Sequence, residues 1–230
     1  MKNLLKKILI LFVVFLAFSC SKDEVSNPNY KLSKIITDGL QIKIKYRNDN
    51  RIESFINDVN DSSTVFTYFE NTTISTSYTN GEFSSRTTIT NNSDGLATEM
   101  LYEYGNNLFY KNVYQYNGTE VSQQSYTSST ITTPQITNYI WSNGNLIQIG
   151  NSYLTYYEDK TSQVGEYLHI FQLLGGFEYI KSKNSIKSIS QNNQSQNFSY
   201  TYDSGGKIIA MAVTAINSSP QILNYEYTIN

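Results

Sequence analysis

Residues 198–209 read FSYTYDSGGKII and hold a strand, a turn and the start of a second strand. Three aromatic residues are spaced two apart, so in an extended chain they share one face: Phe198, Tyr200 and Tyr202. Gly205 and Gly206 follow, and glycine permits the positive φ angles of a tight turn. The stretch therefore predicts an antiparallel hairpin with an aromatic face.

The same order recurs elsewhere: an aromatic residue, a turn of Asn or Asp with Gly, then an aliphatic or aromatic residue. Copies occur at 116–121 (YNGTEV), 141–146 (WSNGNL), 202–208 (YDSGGKI) and 78–83 (YTNGEF). Their spacing is uneven, so the chain is not a strict solenoid. The repeat predicts a meander of hairpins in which the aromatic residue ends one strand and the aliphatic residue begins the next.

Segments of alternating apolar and polar residues lie between turns of this kind. They cover 41–46, 51–55, 65–69, 73–78, 83–90, 100–104, 107–116, 120–126, 135–141, 146–149 and 153–157. The chain has 20 tyrosines, 11 phenylalanines and only three prolines, a composition that suits half-exposed strands. We predict an all-β fold built as a single antiparallel meander.

One segment departs from the alternation, at residues 163–174. Its apolar residues follow helical spacing: Val164, Tyr167, Leu168, Phe171 and Leu174. Gly175 and Gly176 supply a stop signal. We predict one short helix over 163–174 whose apolar face covers one end of the sheet or barrel. The only histidine, His169, lies inside it, where a helix-surface or packing role is expected.

The last third of the chain carries an ordered series of motifs: 173–176 (LLGG), a Lys/Ser-rich stretch through Ser188, 198–209, and 225–227 (YEY). This series resembles a family of Bacteroidetes lipoproteins with a domain of unknown function, described as having a porin-like fold. Residues 200–208 (YTYDSGGKI) also resemble a single tyrosine-aspartate repeat of the Rhs type. The family resemblance implies a closed or nearly closed antiparallel β structure and brings no established activity or site.

A porin-like fold does not imply a pore. Lipid-facing strands of outer-membrane barrels alternate apolar residues over about ten positions. Here Thr72–Tyr78 and Tyr126–Thr133 consist mostly of hydroxyl side chains, which lipid would not accept. The sequence favours a barrel tethered outside the bilayer.

The N-terminal residues predict how that tether is made. Three lysines precede an apolar run of 11 residues from Ile8 to Phe18, far short of the ~20 that a spanning helix needs. Residues 1–19 therefore read as a signal peptide, and 17–20 (AFSC) resemble a bacterial lipobox. Cys20 is the only cysteine, so no partner exists within the chain for a disulfide. We predict lipid attachment at Cys20; the alternative is an ordinary signal peptide that happens to carry a cysteine.

Residues 20–29 form a short polar tether, and 30–230 form the single β domain that we expect. Within the tether, 21–24 (SKDE) resemble the acidic export signal of surface lipoproteins in Bacteroidetes, and solvated linker charge explains the same residues equally well. The expected location is the outer membrane, on the cell surface or, as the alternative, facing the periplasm.

Charge and motif content exclude several functions. The formal net charge is −2, and the basic stripe of a nucleic-acid-binding protein is missing from the sequence. A Ser-His-Asp or Cys-His site needs a histidine beside a nucleophile, whereas His169 stands alone and Cys20 is assigned to lipid. We expect no enzyme, no cofactor and no metal. Residues 57–61 (NDVND) could supply calcium ligands but read more simply as a polar turn.

The leading functional hypothesis is an outer-membrane-anchored lipoprotein with a non-catalytic binding domain, with glycans as the first ligand class to test. Aromatic residues spaced two apart share a face of a strand, and they could offer flat faces for sugar rings or simply be the core and its rim. The pairs are Tyr102/Tyr104, Tyr114/Tyr116 and Tyr225/Tyr227, with Phe198, Tyr200 and Tyr202 as a triplet. The alternative is a structural or envelope-assembly component with no small ligand. A third option is a carboxylate glycosidase using residues such as Glu158, Asp159 and Glu166.

Overall fold

The computed structural model describes residues 30–105, 108–175 and 181–229. The predictions made for the signal peptide, Cys20 and the tether lie outside these residues. Residues Leu32–Tyr227 form one compact unit. The second unit holds residues 1–31 and 228–230, and its described residues are the outer ends of the first and last strands.

Sixteen strands follow one another along the described chain. They are β1 Tyr30–Thr37, β2 Leu40–Tyr46, β3 Ile52–Asn57, β4 Ser62–Tyr68, β5 Thr72–Thr79, β6 Glu82–Asn91, β7 Ala97–Tyr104, β8 Leu108–Asn117, β9 Glu120–Ser128, β10 Gln135–Ser142, β11 Asn145–Ile149, β12 Ser152–Thr161, β13 Asn184–Gln191, β14 Gln194–Tyr202, β15 Ile208–Ala215 and β16 Gln221–Ile229. Each strand neighbours the strands before and after it, and β1 returns beside β16 to close a barrel. Lys34 of β1 also forms a salt bridge with Glu226 of β16, at 2.8 Å. The predicted all-β meander closed into a barrel is confirmed.

The turns alternate between the two ends of the barrel. We call one the helix end; its turns include 47–51, 92–96, 118–119, 143–144 and 203–207. We call the other the mouth end; its turns include 38–39, 58–61, 80–81, 150–151, 192–193 and 216–220.

Strand register defines the inner face, because residues paired across antiparallel strands lie on the same face. Ile44 pairs with Phe55, and Ile89 pairs with Met100, which in turn pairs with Asn112. Most of these inward residues are buried. The least exposed apolar residues of the core are Leu32, Ile35, Ile89, Val121, Leu146, Ile186, Phe198, Ile208 and Met211. The barrel therefore carries its core inside.

The sequence repeat corresponds to turns at the helix end. Val121, Leu146 and Ile208 each begin or nearly begin a strand after such a turn, and each is 0 % exposed. For these three copies the prediction that an aliphatic residue opens the next strand is confirmed. The copy at 78–83 lies at the mouth end instead, and Phe83 is 52 % exposed. The predicted hairpin forms there too, since Tyr78 lies at the end of β5 and Phe83 at the start of β6, and an Asn-Gly turn has the same local chemistry at either end of a barrel.

Aromatic side chains at the helix end are fixed to the backbone of the preceding strand. We call the following seven the floor aromatics. Their ring O–H or N–H groups donate to carbonyl oxygens in the pairs Tyr46–Leu32, Tyr68–Ile52, Tyr116–Ala97, Trp141–Val121, Tyr156–Leu146, Tyr200–Ile186 and Tyr227–Ile208, at 2.6–2.9 Å. The register shifts by one residue just before several of them, including Tyr46, Tyr116 and Trp141. Such bulges re-aim a side chain, so the floor aromatics serve packing.

The helix, α1, spans Tyr167–Gly175, so it begins four residues later than predicted. Gly165 has a φ of +95°, and a Cβ there would lie 2.8 Å from the Tyr227 hydroxyl, so the chain turns sharply at this point. Glu166 then caps the helix, because its Oε1 accepts the N–H of His169 at 2.7 Å. Leu168 and Ile170 are buried within the hydrophobic core, so α1 covers this end of the barrel as predicted. Within the described ranges 30–105, 108–175 and 181–229, no helix has the length and apolar character needed to cross a membrane.

Candidate functional site

Four tyrosines on β7, β8 and β9 form a row that is separate from the floor aromatics. Ring centroids are 5.4 Å apart for Tyr104 and Tyr102, 4.6 Å for Tyr102 and Tyr110, and 6.2 Å for Tyr110 and Tyr126. The middle pair is stacked, with an interplanar angle of 18°. We call this row the tyrosine ladder.

Register places the ladder on the inner face. Tyr102 pairs with Tyr110. Tyr102 lies two residues from the inward Met100, and Tyr110 lies two residues from the inward Asn112, so both tyrosines point inward as well. Because Asn112 is only 6 % exposed, this face is the interior of the barrel. The ladder thus runs along the inner wall and ends at the mouth, where Tyr104 is 40 % exposed. Burial raises the pKa of the Tyr110 hydroxyl, and the neighbouring tyrosines raise it further.

Amide side chains form hydrogen bonds beside the inner end of the ladder. The Tyr139 hydroxyl donates to Gln124 Oε1 at 2.6 Å, and Gln124 Nε2 donates to Asn112 Oδ1 at 2.7 Å. Asn112 pairs in register with Tyr126, the inner end of the ladder. This chain of hydrogen bonds fixes the wall on which the tyrosines stand.

A cavity of about 530 Å³ adjoins the outer end of the ladder. We call it the rim cavity, and its principal lining residues are Phe83, Arg86, Glu103, Tyr104, Leu108 and Phe109. Arg86 and Glu103 face each other in register on the outer face of β6 and β7, next to the inward pair of Ser85 and Tyr104, and the Arg86 guanidinium lies 5.9 Å from the Phe83 ring centroid. Exposed ring faces therefore lie beside a hydrogen-bond donor and a carboxylate acceptor.

Such an arrangement has a definite chemical capability. Flat apolar rings accept the C–H face of a sugar, while guanidinium and carboxylate groups bind hydroxyls at the edge. The sequence pair Tyr102 and Tyr104 signalled part of the ladder. Phe83, Arg86 and Glu103 were missed as a group, because only strand register brings these residues together.

The structure separates the carboxylates that were considered for glycoside hydrolysis. Glu158 and Asp159 are exposed neighbours on β12, and consecutive strand residues point to opposite faces. Glu166 is 1 % exposed beneath α1. The half-buried His169 lies on α1, where its backbone N–H joins the helix cap.

The candidate calcium segment, residues 57–61, runs from the end of β3 into the β3–β4 turn. Asp58 pairs with Lys43, and Asn57 Oδ1 accepts the N–H of Val59 at 3.1 Å. These contacts are those of a polar turn. Over the described residues, no three His, Cys, Asp or Glu side chains group closely enough to hold a metal ion.

Replacing Glu166 by glutamine should stabilise the protein at neutral pH. Burial raises the pKa of the Glu166 carboxyl above its ordinary value of 4.5, so the folded state holds the proton more tightly than the unfolded state. The free energy of unfolding therefore falls as the pH rises from 4.5 through the folded pKa. Glutamine keeps an oxygen for the helix cap and never ionises, so the free energy of unfolding at neutral pH should be higher than that of the parent.

Urea unfolding of both proteins at acidic and neutral pH measures this effect. The gain should shrink towards zero below the unfolded pKa. Glu158→Gln is the control, since that side chain is exposed and should change little at either pH. A variant less stable than the parent at neutral pH would contradict the assignment.

Comparison with known proteins supports the fold. No protein-family model matches the chain, and no curated protein matches it in sequence. The structure is similar to that of a porin-like protein from Bacteroides uniformis, with a TM-score of 0.63 and 13 % identity over 86 % of this chain and 96 % of that one. A porin-like protein from Bacteroides vulgatus gives a TM-score of 0.60 and 15 % identity over 86 % and 98 % of the two chains.

At such identities the likeness establishes the fold and nothing finer. The porin-like fold implied by the sequence resemblance is confirmed. The lipoprotein family and the Rhs-type repeat stay predictions.

Proposed function

We propose that the chain is a lipoprotein of the Bacteroidetes type, anchored in the outer membrane through lipid on Cys20, whose barrel binds glycans without catalysis. The tyrosine ladder is the observation that carries this proposal. The lipobox and the family resemblance support the anchoring, and the porin-like Bacteroides structures are compatible with an envelope location.

The contrast between the floor tyrosines and the ladder tyrosines favours a ligand-binding role for the ladder. Each floor tyrosine donates its hydroxyl to a backbone carbonyl, which gives it a structural role. The ladder instead leads from the inner wall to a part-exposed ring at the mouth, beside an open cavity. The part-exposed Tyr104 ring at the mouth can offer a flat apolar face to a sugar ring, and the stacked tyrosines behind it hold it in place.

The first alternative is an envelope-assembly component with no small ligand. One observation favours it: Val113 and Ile136 flank Ser125 in register on the outer face, and they are 37 % and 53 % exposed. Neighbouring exposed apolar side chains suit contact with another protein. A carboxylate glycosidase ranks third, because Glu158, Asp159 and Glu166 lie in different environments.

Replacing Tyr104 by alanine tests the glycan proposal. A glycan array probed with the detergent-purified full-length protein first identifies a bound sugar, and isothermal titration then gives its Kd. Loss of a stacking ring is expected to weaken binding about tenfold or more. Stability should change little, because Tyr104 is 40 % exposed.

Tyr153→Ala is the matched control. Tyr153 is 57 % exposed on the outer face of β12, and its removal should leave the Kd unchanged. Equal weakening of glycan binding by Tyr104→Ala and Tyr153→Ala would count against the ladder as the glycan-binding site. Copurification with envelope proteins, together with indifference to every sugar on the array, would favour the assembly role.

A further inference from the structure

A second cavity, of about 550 Å³, lies at the mouth end across β13, β14 and the β15–β16 turn. We call it the amide cavity, because half of its ten lining residues are carboxamides: Gln191, Asn193, Gln194, Gln196 and Asn217. It shares no lining residue with the rim cavity, which β6, β7 and β8 form.

Register places its glutamines on the inner face. Ile189 pairs with the buried Leu154 on one side and with Gln196 on the other, and Gln191 pairs with Gln194. Along the inner face of β14, Phe198 is 1 % exposed, whereas Gln196 and Gln194 are exposed. The inner wall therefore changes from a packed core to an open amide surface as it approaches the mouth.

The β13–β14 turn fixes this surface. Asn192 and Asn193 have φ angles of +48° and +64°, the left-handed values that a tight two-residue hairpin requires. The flanking glutamines are paired directly across the turn. The backbone positions of these glutamines are therefore set by the hairpin, which lowers the entropic cost of ordering their side chains around a ligand.

The chemistry of the lining selects an uncharged ligand. None of the lining residues is ionisable, and each carboxamide offers both donors and an acceptor. Ile189, Ala215 and Ile216 add an apolar patch. A neutral sugar matches both features, because its hydroxyls donate to and accept from the carboxamides and its C–H face packs on the apolar patch. The carboxylate of an acidic sugar would find no cation among the lining residues.

We infer that the amide cavity is a second ligand site at the mouth, selective for neutral saccharides. This inference rests on the proposed function, because it assumes that the protein binds glycans. It places a second glycan site at residues that lie outside the tyrosine ladder. Peptide backbones offer similar amide partners, but the lining has no charged or aromatic group to bind charged or aromatic peptide side chains, so an uncharged peptide serves as the competitor in the test.

The test measures binding of dextran, mannan and polygalacturonate to the detergent-purified full-length protein. Gln196→Ala and Gln194→Ala should each weaken binding of the neutral polymer about tenfold, equally at low and high salt. Gln196→Glu, which keeps the side-chain length and adds charge, should weaken it as well. Asn197→Ala is the control, because Asn197 is exposed on the opposite face of the same strand.

The outcomes separate the two proposals. Binding that is lost in Tyr104→Ala but unchanged in all three glutamine variants overturns the amide site and leaves the ladder intact. Tighter binding of polygalacturonate than of either neutral polymer, or displacement of the neutral polymer by an uncharged peptide, overturns the neutral-saccharide assignment. Binding to none of the three polymers overturns the neutral-saccharide assignment of the amide cavity, whereas the glycan proposal fails only if the protein binds no sugar on the array. Weaker binding of the neutral polymer by the glutamine variants, with binding by Asn197→Ala unchanged, supports the site.

Discussion

Replacing Phe198 by alanine is expected to lower the free energy of unfolding by about 3–5 kcal/mol, the range for removing a large buried aromatic side chain. Phe198 is 1 % exposed on the inner face of β14. Its ring centroid lies 4.4 Å from that of Tyr167, the first residue of α1. The substitution therefore removes core packing and one of the contacts that hold the helix against the barrel wall.

Urea unfolding followed by tyrosine fluorescence and by far-ultraviolet circular dichroism measures the loss. Ser199→Ala is the control, because Ser199 is exposed on the other face of the same strand, and it should stay within about 0.5 kcal/mol of the parent. A loss below ~1 kcal/mol for Phe198→Ala would mean that the helix end is loosely packed. In that case α1 would not be a fixed part of the core.

Phe198 also illustrates what the sequence could predict. The spacing of Phe198, Tyr200 and Tyr202 is a local property, and it indicated the strand, its inner face and the turn that follows. The same holds for most other strands, whose residues alternate with period two. Closure of the barrel is not local, since β1 and β16 meet only after every strand is placed. That feature came from the family resemblance.

The start of the helix was predicted wrongly, and the end of the barrel at which each turn lies was not predicted at all. The copy of the repeat at 78–83 forms the predicted hairpin, but its position at the mouth end depends on strand order. The helix begins at Tyr167 because Gly165 is pressed against Tyr227, a residue far along the chain. Helical periodicity alone extended it back to residue 163.

The candidate sites were predictable only in part. Tyr102 and Tyr104 were noted as a pair, but stacking of Tyr102 on Tyr110 depends on the register of β7 and β8. The amide cavity left no signal, because glutamine and asparagine are common throughout the chain and only the inner-face register of Gln191 and Gln196 distinguishes them. Function at a barrel mouth depends on neighbours across strands, which a linear pattern does not record.

Replacing Cys20 by alanine is expected to move the protein from the membrane fraction to the soluble fraction almost completely. Cys20 is the only cysteine and ends the lipobox-like AFSC segment, so the variant offers no other thiol for lipid attachment. Each buried methylene of an acyl chain contributes about 0.8 kcal/mol, so loss of the lipid removes the whole proposed anchor. Fractionation of cells, with blotting for the protein, measures the change.

Ser26→Ala, within the tether, is the control and should stay in the membrane fraction. Protease treatment of intact cells then distinguishes the two faces of the outer membrane. Digestion of the wild-type protein without lysis would support the reading of Ser21–Glu24 as an export signal and would expose the barrel to external glycans. Protection until the outer membrane is broken would contradict that reading and make an envelope partner the better hypothesis. Retention of Cys20→Ala in the membrane fraction after residues 1–19 have been removed, as checked by mass spectrometry, would contradict lipid anchoring itself, because the polar tether gives the barrel no other predicted attachment.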